Sequence, residues 1–414
     1  MALDVKAARS VVLEHCLKID LGRLDREDLP LVDCLGRVIA EPITLDQDQP
    51  PFDRSMRDGY ALKAQDVDRV PATLKCRGEI KAGDSPSLDL QQGETFQIMT
   101  GAPVPAGADA VVMVEYTEQM RPEVVTILRP VRPGENVAAQ GSEHRAGSFM
   151  FGEGALLSAF QLAVLASLGK SSVKVFRQPR VAILATGDEL VDIQVAPDAG
   201  QIRNSNSYSL YAQVLREGGI PTILEIARDN RADLRRQTSS GMQHDVLLIS
   251  GGVSMGKYDL VEPVLNELGI QIHFESVNMR PGKPTVFATQ GDRFVFGLPG
   301  NPVSTFVAFE LFVRPVLRRL QSLEHASLRL IKGILDEEVV EKSGRTAFLP
   351  ARVFSESGRN VVSTVAWKGS ADIFGAAKAN GFLIVPLNAG HLAPGQEVEA
   401  LLFDPFEFGA GGTF

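Results

Sequence analysis

Between residues 178 and 323, short apolar runs alternate with stretches of helical periodicity. Residues 181–184 are apolar and end in the polar turn Thr186-Gly187-Asp188-Glu189. Leu210, Val214 and Leu215 then recur at helical spacing from about residue 205, until Gly218-Gly219 stops the helix. The pattern repeats as a strand over 221–227, a polar helix over 234–242 and a strand over 246–249. That last strand closes in Ser250-Gly251-Gly252, and a helical pattern starts at Asp259. Strands over 270–276 and 294–298 follow, with the segment MRPGKPT between them. Asn301 suits an N-cap and Pro302 the first position of a long closing helix. Strands alternating with helices predict a parallel, doubly wound sheet, which binds ligands at the carboxyl ends of its strands.

The flanks carry a different pattern. Residues 44–145 are rich in Pro and Gly with short β-like runs at 110–114 and 124–128, which predicts a small inserted β domain. The helical region that it interrupts continues at 158–168. Residues 327–414 alternate over 328–334, 348–354, 361–365 and 398–403, which predicts a β-barrel or sandwich. The expected division is an N-terminal helix at 1–25 packing on the α/β domain and a linking region at 26–43 and 146–177. The inserted β domain takes 44–145, the α/β domain 178–326 and the C-terminal β domain 327–414.

Composition narrows the function classes. The chain has 414 residues, 44% of them hydrophobic, enough for several cores. A net charge of -9 argues against nucleic acid or an anionic membrane as partner, while leaving room for a local anion site. The N-terminus lacks an apolar signal core, and the richest apolar stretch, 294–320, is broken by Pro299, Pro302, Glu310 and Pro315. Cys16, Cys34 and Cys76 are isolated and odd in number, which favours neither a disulfide framework nor a zinc site. The chain reads as soluble and cytoplasmic.

Candidate chemistry collects at the predicted strand ends. Glycines where a strand hands over to a helix let backbone N–H groups approach an anion. Residues 251–257 nearly complete a nucleotide-cradling G-x-x-x-x-G-K-[ST] loop, but Tyr258 stands where a small hydroxyl would meet Mg²⁺. Asp188, Glu189, Asp229 and Asp259 suit Mg²⁺, which takes a few carboxylates plus substrate phosphates. Asp188 and Asp259 would serve equally as helix caps, and Glu189 and Asp229 as solvated charge. In MRPGKPT, Arg280 offers a planar fork and Lys283 a point charge on a Pro-stiffened loop, suited to a tetrahedral oxyanion; a plain basic loop has the same pattern. Asp58, in PPFDRSMRDGYALK, and the loop starting at Thr100 also read as turns. The six histidines lack metal-ligand spacing, and no G-x-S-x-G elbow is present.

Taken together, these segments resemble the molybdopterin molybdenumtransferase (MoeA) family, related to the E domain of gephyrin. The resemblance rests on PPFDRSMRDGYA, IMTGAPVPAGADAVVMVE, VRPGENV, ATGDEL, GQIRNSNSYSL, SGGVSMGKYD, MRPGKPT, GLPGNPVST and KGSADIFGAAKANGF, in the family's order from about residue 5 to 402. It implies a multi-domain α/β plus β fold. A doubly wound molybdopterin-binding-like domain would be joined by an inserted β domain, a helical linking region and a C-terminal β-barrel-like domain. It implies insertion of molybdenum from molybdate into adenylylated molybdopterin with release of AMP, using Mg²⁺. It implies a homodimer, with transient contact with the adenylyltransferase and with molybdoenzyme chaperones.

Carried over by motif, Asp58, Thr100, Glu189, Asp229 and Asp259 match catalytic positions; the expected metal ligands are the four acids Asp188, Glu189, Asp229 and Asp259. Thr186, Gly187, Ser250, Gly251, Gly252, Ser254, Gly300, Asn301 and Pro302 match the pterin-nucleotide cradle. Arg280, Lys283, Pro284, Arg352 and Ser370 match the molybdate site. The chain departs from the family pattern at Arg57, beside Asp58, and at Gly141-Ser142-Glu143. Three other readings remain: a nucleotide kinase, which Tyr258 opposes; a nicotinamide-nucleotide amidase, which the extra β domains oppose; and a nucleotide-binding scaffold.

Overall fold

The computed structural model describes residues 2–84, 89–253, 260–323, 327–403 and 407–408. The chain divides into two compact units. One comprises Met1–Ala40, Glu153–Leu162 and Ser171–Phe414; the other comprises Glu41–Gly152 and Ala163–Lys170.

The first unit is built on a six-stranded sheet of β1 (Arg180–Ala185), β2 (Ile220–Ile223), β3 (Val246–Ser250), β4 (Gln271–Phe274), β5 (Val286–Gln290) and β6 (Arg293–Leu298), in the order β2-β1-β3-β6-β5-β4. The first four strands in that order run parallel, whereas β5 pairs antiparallel with both β6 and β4. The sheet is therefore mixed rather than wholly parallel. The physical reason is a tight return: Gly291, at φ 59°, turns the chain straight from β5 into β6, so no crossover helix separates them.

Alternation along the strands sorts side chains to two faces. Val181, Ile183, Val246 and Leu248 join one buried cluster with Leu210 and Val214 of helix Asn206–Arg216 and with Ala8, Val12 and Cys16 of helix Val5–Leu17. Ala182, Leu184, Leu247 and Ile249 face the other way, against Leu234, Val264 and Leu265 of helices Arg231–Gly241 and Val261–Glu267. Helices cover both faces, which is why these strands read as unbroken apolar runs.

The C-terminal part closes on itself. Thr346–Glu356 pairs with Arg359–Thr364 and with Gly381–Val385; Leu330–Leu335 and Glu397–Leu402 complete the ring, a closed five-stranded barrel. Closure leaves none of these five strands an unpaired edge. A short strand of the α/β part, Met279–Arg280, runs parallel to Thr346–Ala347 and ties the two parts together. The first unit also contains the antiparallel pair Arg26–Pro30 with Ser172–Phe176, and a further helix spans Ala159–Ser167.

The second unit is a six-stranded sheet in the order Ala110–Met113, Gly59–Leu62, Glu94–Ile98, Ala72–Ile80, Val124–Ile127, Thr117–Arg121. Gly59 is needed there, because a Cβ would sit 1.9 Å from the Val112 carbonyl oxygen. Among the described residues no helix is long and apolar enough to cross a membrane.

Candidate functional site

A cleft of ≈ 1400 Å³ opens at the carboxyl ends of β1, β3 and β6. Its floor is set by glycines in conformations that side chains rarely adopt. Gly251 and Gly252 have φ of 98° and 63°, and a Cβ on Gly251 would lie 2.5 Å from the Thr186 carbonyl oxygen. The β1 and β3 turns therefore approach backbone to backbone, leaving room above them for a ligand. Asn206 clamps this floor: its amide donates to Ser250 Oγ at 2.9 Å and to the Gly300 carbonyl at 2.7 Å.

On the β1 side, the turn after the strand is stapled to the segment after β2. The Asp188 amide donates to Asp229 Oδ2 and the Asp229 amide to Asp188 Oδ1, both at 3.3 Å, while Thr186 Oγ1 donates to Asp229 Oδ1 at 3.2 Å. Glu189 and Asp229 are exposed and line the cleft; Asp188 does not. No group of three or more His, Cys, Asp or Glu among the described residues could by itself hold a metal ion. The two exposed acids, Glu189 and Asp229, form a partial set, which fits Mg²⁺ when a ligand's phosphates complete the shell.

The basic wall comes from the loop 280–284. Arg280 Nη1 donates to both carboxylate oxygens of Glu341, at 2.9 and 3.1 Å, and the Ser343 amide donates to the same carboxylate at 2.7 Å. Burial pushes Glu341 up, but the hydrogen bonds from Ser343 and Arg280 outweigh it and hold its carboxyl below the usual range. Arg345 also lines the cleft and reaches back to the Met279 carbonyl at 3.4 Å. Lys283 is exposed in the cleft and its ammonium pairs with no described residue. Thus Arg280, Lys283 and Arg345 supply three cations, of which Arg280 is already half-neutralised by Glu341.

The remaining wall is segment 367–374. Asn301 does not cap its own helix through its side chain; its amide donates instead to Ser370 Oγ at 2.8 Å, and the Val303 amide to the Ser370 carbonyl at 3.1 Å. This double link brings Ser370 to the start of helix Pro302–Ala308 within a single chain. Trp367 and Phe374 complete the wall.

The cleft therefore gathers Thr186, Gly187, Glu189, Asp229, Ser250, Gly251, Gly252, Arg280, Lys283, Pro284, Gly300, Asn301, Pro302 and Ser370. Arg352 is not among its lining residues. It lies in strand Thr346–Glu356 opposite Ser363, flanked by Ala351 and Val353, which alternation turns into the barrel core. Ser254 and Asp259 lie outside the described residues. Asp58 and Thr100 belong to the second unit, where Asp58 Oδ1 accepts from both the amide and the hydroxyl of Thr100, at 2.6 and 2.8 Å. Those bonds hold the Asp58 carboxyl below its ordinary range. The sequence reading assigned no role to Asn206, Arg345, Glu341, Trp367 or Phe374. Asn206 lies within the segment GQIRNSNSYSL and Phe374 within KGSADIFGAAKANGF, so both sit in quoted motifs without a role of their own; Arg345, Glu341 and Trp367 lie outside those motifs.

Comparison with known proteins gives the same picture along the whole chain. Three family models match in order: the MoeA N-terminal region (domain I and II) at residues 3–169, a probable molybdopterin binding domain at 182–319 and the MoeA C-terminal region (domain IV) at 332–403. The molybdopterin molybdenumtransferase of Nostoc sp. is 34% identical over 408 residues, covering 96% of this chain and 93% of the relative. That of Bacillus subtilis is 33% identical over 386 residues, covering 91% and 90%. The crystal structure of the molybdopterin biosynthesis MoeA protein from Pyrococcus horikosii superposes with a TM-score of 0.82 at 32% identity, over 98% of this chain and 100% of that one. With identity above 30% across nearly the full length of both curated relatives, this chain belongs to the molybdopterin molybdenumtransferase family.

Proposed function

We propose that this chain inserts molybdenum from molybdate into adenylylated molybdopterin and releases AMP. One observation carries the reading: a single cleft joins a glycine-turn cradle at the sheet edge to three cations on the loops 280–284 and 345. The cradle suits the nucleotide phosphate, approached by backbone amides. The cations suit molybdate, a tetrahedral dianion that Lys283 and Arg345 would bind by charge-assisted hydrogen bonds. Arg280, held by Glu341, would orient rather than fully neutralise it. When bound, Mg²⁺ would neutralise charge developing on the departing AMP. Glu189 and Asp229 are the described residues that would hold it. Asp259, carried over from the family motif, completes the proposed set but lies outside the described residues.

The proposal includes a homodimer, Asp58 and Thr100 as further catalytic groups, and transient contacts with the adenylyltransferase and with molybdoenzyme chaperones in the cytoplasm. Because Ser370 reaches the cleft in its own chain, the dimer is not required to assemble that part of the site. Sedimentation at micromolar concentration tests it, with a strictly monomeric active protein as the contrary result.

The reaction is tested by incubating the protein with adenylylated molybdopterin, molybdate and Mg²⁺ and following AMP. Release that needs both molybdate and a divalent ion supports the reading. Release that ignores molybdate, or undiminished release in excess chelator, removes the molybdate or the metal part respectively.

A further inference from the structure

Phe374 is 85% exposed, yet the segment that displays it is tightly built. It sits on the four-residue helix Ile373–Ala376, whose N-cap Asp372 accepts from the Gly375 amide at 3.0 Å and from the Lys368 amide at 2.8 Å. Gly375 leaves no slack: a Cβ there would lie 2.8 Å from the Ala366 carbonyl oxygen and 3.0 Å from the Trp367 Cα. Ser370, in the same segment, is linked to Asn301 and Val303. Trp367 packs against the main core and lines the cleft, whereas Phe374 lines the cleft without joining that core. An ordered loop thus holds a large apolar ring in water where it lines the cleft.

We propose that Phe374 is the stacking platform for a planar heteroaromatic ring of the substrate, with Trp367 as its inner edge. The inference rests on the proposed function, since adenylylated molybdopterin carries two such rings, the adenine and the pyrimidinone of its reduced pterin. Stacking fits the observations better than plain apolar contact. The ring is largely exposed, and Arg345, Lys283 and Ser370, which line the same cleft, would hold a charged group while leaving a flat apolar ring to be covered. Stacking of a base on an aromatic side chain gives way to alanine with a loss of roughly tenfold or more in affinity. Phe374 would therefore act in binding and ring orientation, and not in the chemical step.

The test uses the full chain and two probes, AMP and 6-hydroxymethylpterin, titrated by calorimetry. Trp367 is the only tryptophan of the protein, so its emission also reports AMP entering the cleft and checks that each variant is folded. Phe374→Ala and Phe374→Leu should each bind one of the two rings about tenfold more weakly, and Phe374→Tyr should restore it. The ring affected identifies the source. With adenylylated molybdopterin, Phe374→Leu should raise KM for AMP release and leave kcat near wild type. Wild-type affinity in Phe374→Leu for both rings would overturn the stacking role. Failure of the wild-type protein to bind either ring would instead overturn the functional reading beneath it.

Discussion

Asp188 and Asp229 exchange backbone hydrogen bonds, each amide donating to the other's carboxylate at 3.3 Å. The relationship separates acids that look equivalent in sequence. Asp188 spends its carboxylate on closing the turn after β1 and does not line the cleft, whereas Glu189, next to it, does. The expected outcome is a split between two variants. Glu189→Gln should slow Mg²⁺-dependent AMP release strongly with an unchanged melting temperature, because an exposed carboxylate contributes little to folding. Asp188→Ala should lower stability by about 1 kcal/mol, the net worth of a lost hydrogen bond. Paired thermal melts and AMP assays decide it; an inactive, fully stable Asp188→Ala beside an active Glu189→Gln would reverse the assignment.

Asp58 gives a second test, in the other unit. Its carboxylate accepts two hydrogen bonds from Thr100, and the backbone bond is the larger cause of its depressed pKa, followed by the hydroxyl. Thr100→Val keeps the first bond and removes the second. The Asp58 carboxyl should therefore titrate below its ordinary 3.8 in the wild type and move part of the way back in the variant. The stability tied to this depressed pKa is present at neutral pH and is lost as pH falls through the native value. Carboxyl-carbon NMR titration of both proteins measures the shift directly.

The parts of this fold that sequence made legible are those whose signal is local. Strands β1, β3 and β6 are buried on both faces and read as apolar runs; Gly251, Gly252 and Pro302 mark turns and a helix start by their own backbone preferences. What stayed hidden depends on long-range pairing. Strand β5 follows Pro284 and has no assigned element in the sequence pattern; its pairing with β6 and β4 defines it. Arg345 enters the cleft only because Thr346–Ala347 pairs with Met279–Arg280. Without that contact, nothing distinguishes it from Arg352, seven residues further along the chain. Phe374 stands in the motif KGSADIFGAAKANGF, but nothing in that motif shows that its ring is exposed and lines the cleft.

The Arg280–Glu341 pair predicts how the molybdate wall is tuned. Glu341 has a side-chain exposure of 5% and Arg280 of 46%, so the arginine is still solvated if its partner is removed. Glu341→Ala should cost only about 1–2 kcal/mol in urea unfolding, less than breaking a fully buried pair. It should also release Arg280 from its fixed geometry. The expected kinetic result is a higher molybdate requirement for AMP release, since a mobile guanidinium pays more entropy on binding. Lys283→Ala should raise the same requirement while adenylylated pterin still binds. If Lys283→Ala lost pterin affinity and kept wild-type molybdate dependence, the loop would belong to the nucleotide instead.

Glu310 predicts a pH dependence of stability that lies outside the cleft. It is wholly buried in the π-helical turn Phe309–Val313, with Oε1 on Arg216 and Oε2 without a hydrogen-bond partner among the described residues. Burial pushes its carboxyl up from 4.5 to about 7; Glu217 adds to the rise, while Arg216 and Arg314 oppose it without cancelling it. A proton on Oε2 relieves the unpaired charge. In the unfolded chain the same group titrates near 4.5, so between that value and about 7 the native state holds a proton that the unfolded state has lost. Stability from this group must then fall as pH rises through that window and level off above it, with a limiting slope of about 1.4 kcal/mol per pH unit. Glu310→Gln keeps the shape and cannot titrate. The difference in unfolding free energy between wild type and Glu310→Gln should therefore shift against the wild type from pH 5 to pH 7 and stay level from pH 7.5 upward. Urea unfolding of both proteins across that range measures it, and parallel curves would mean that Arg216 keeps Glu310 ionised throughout.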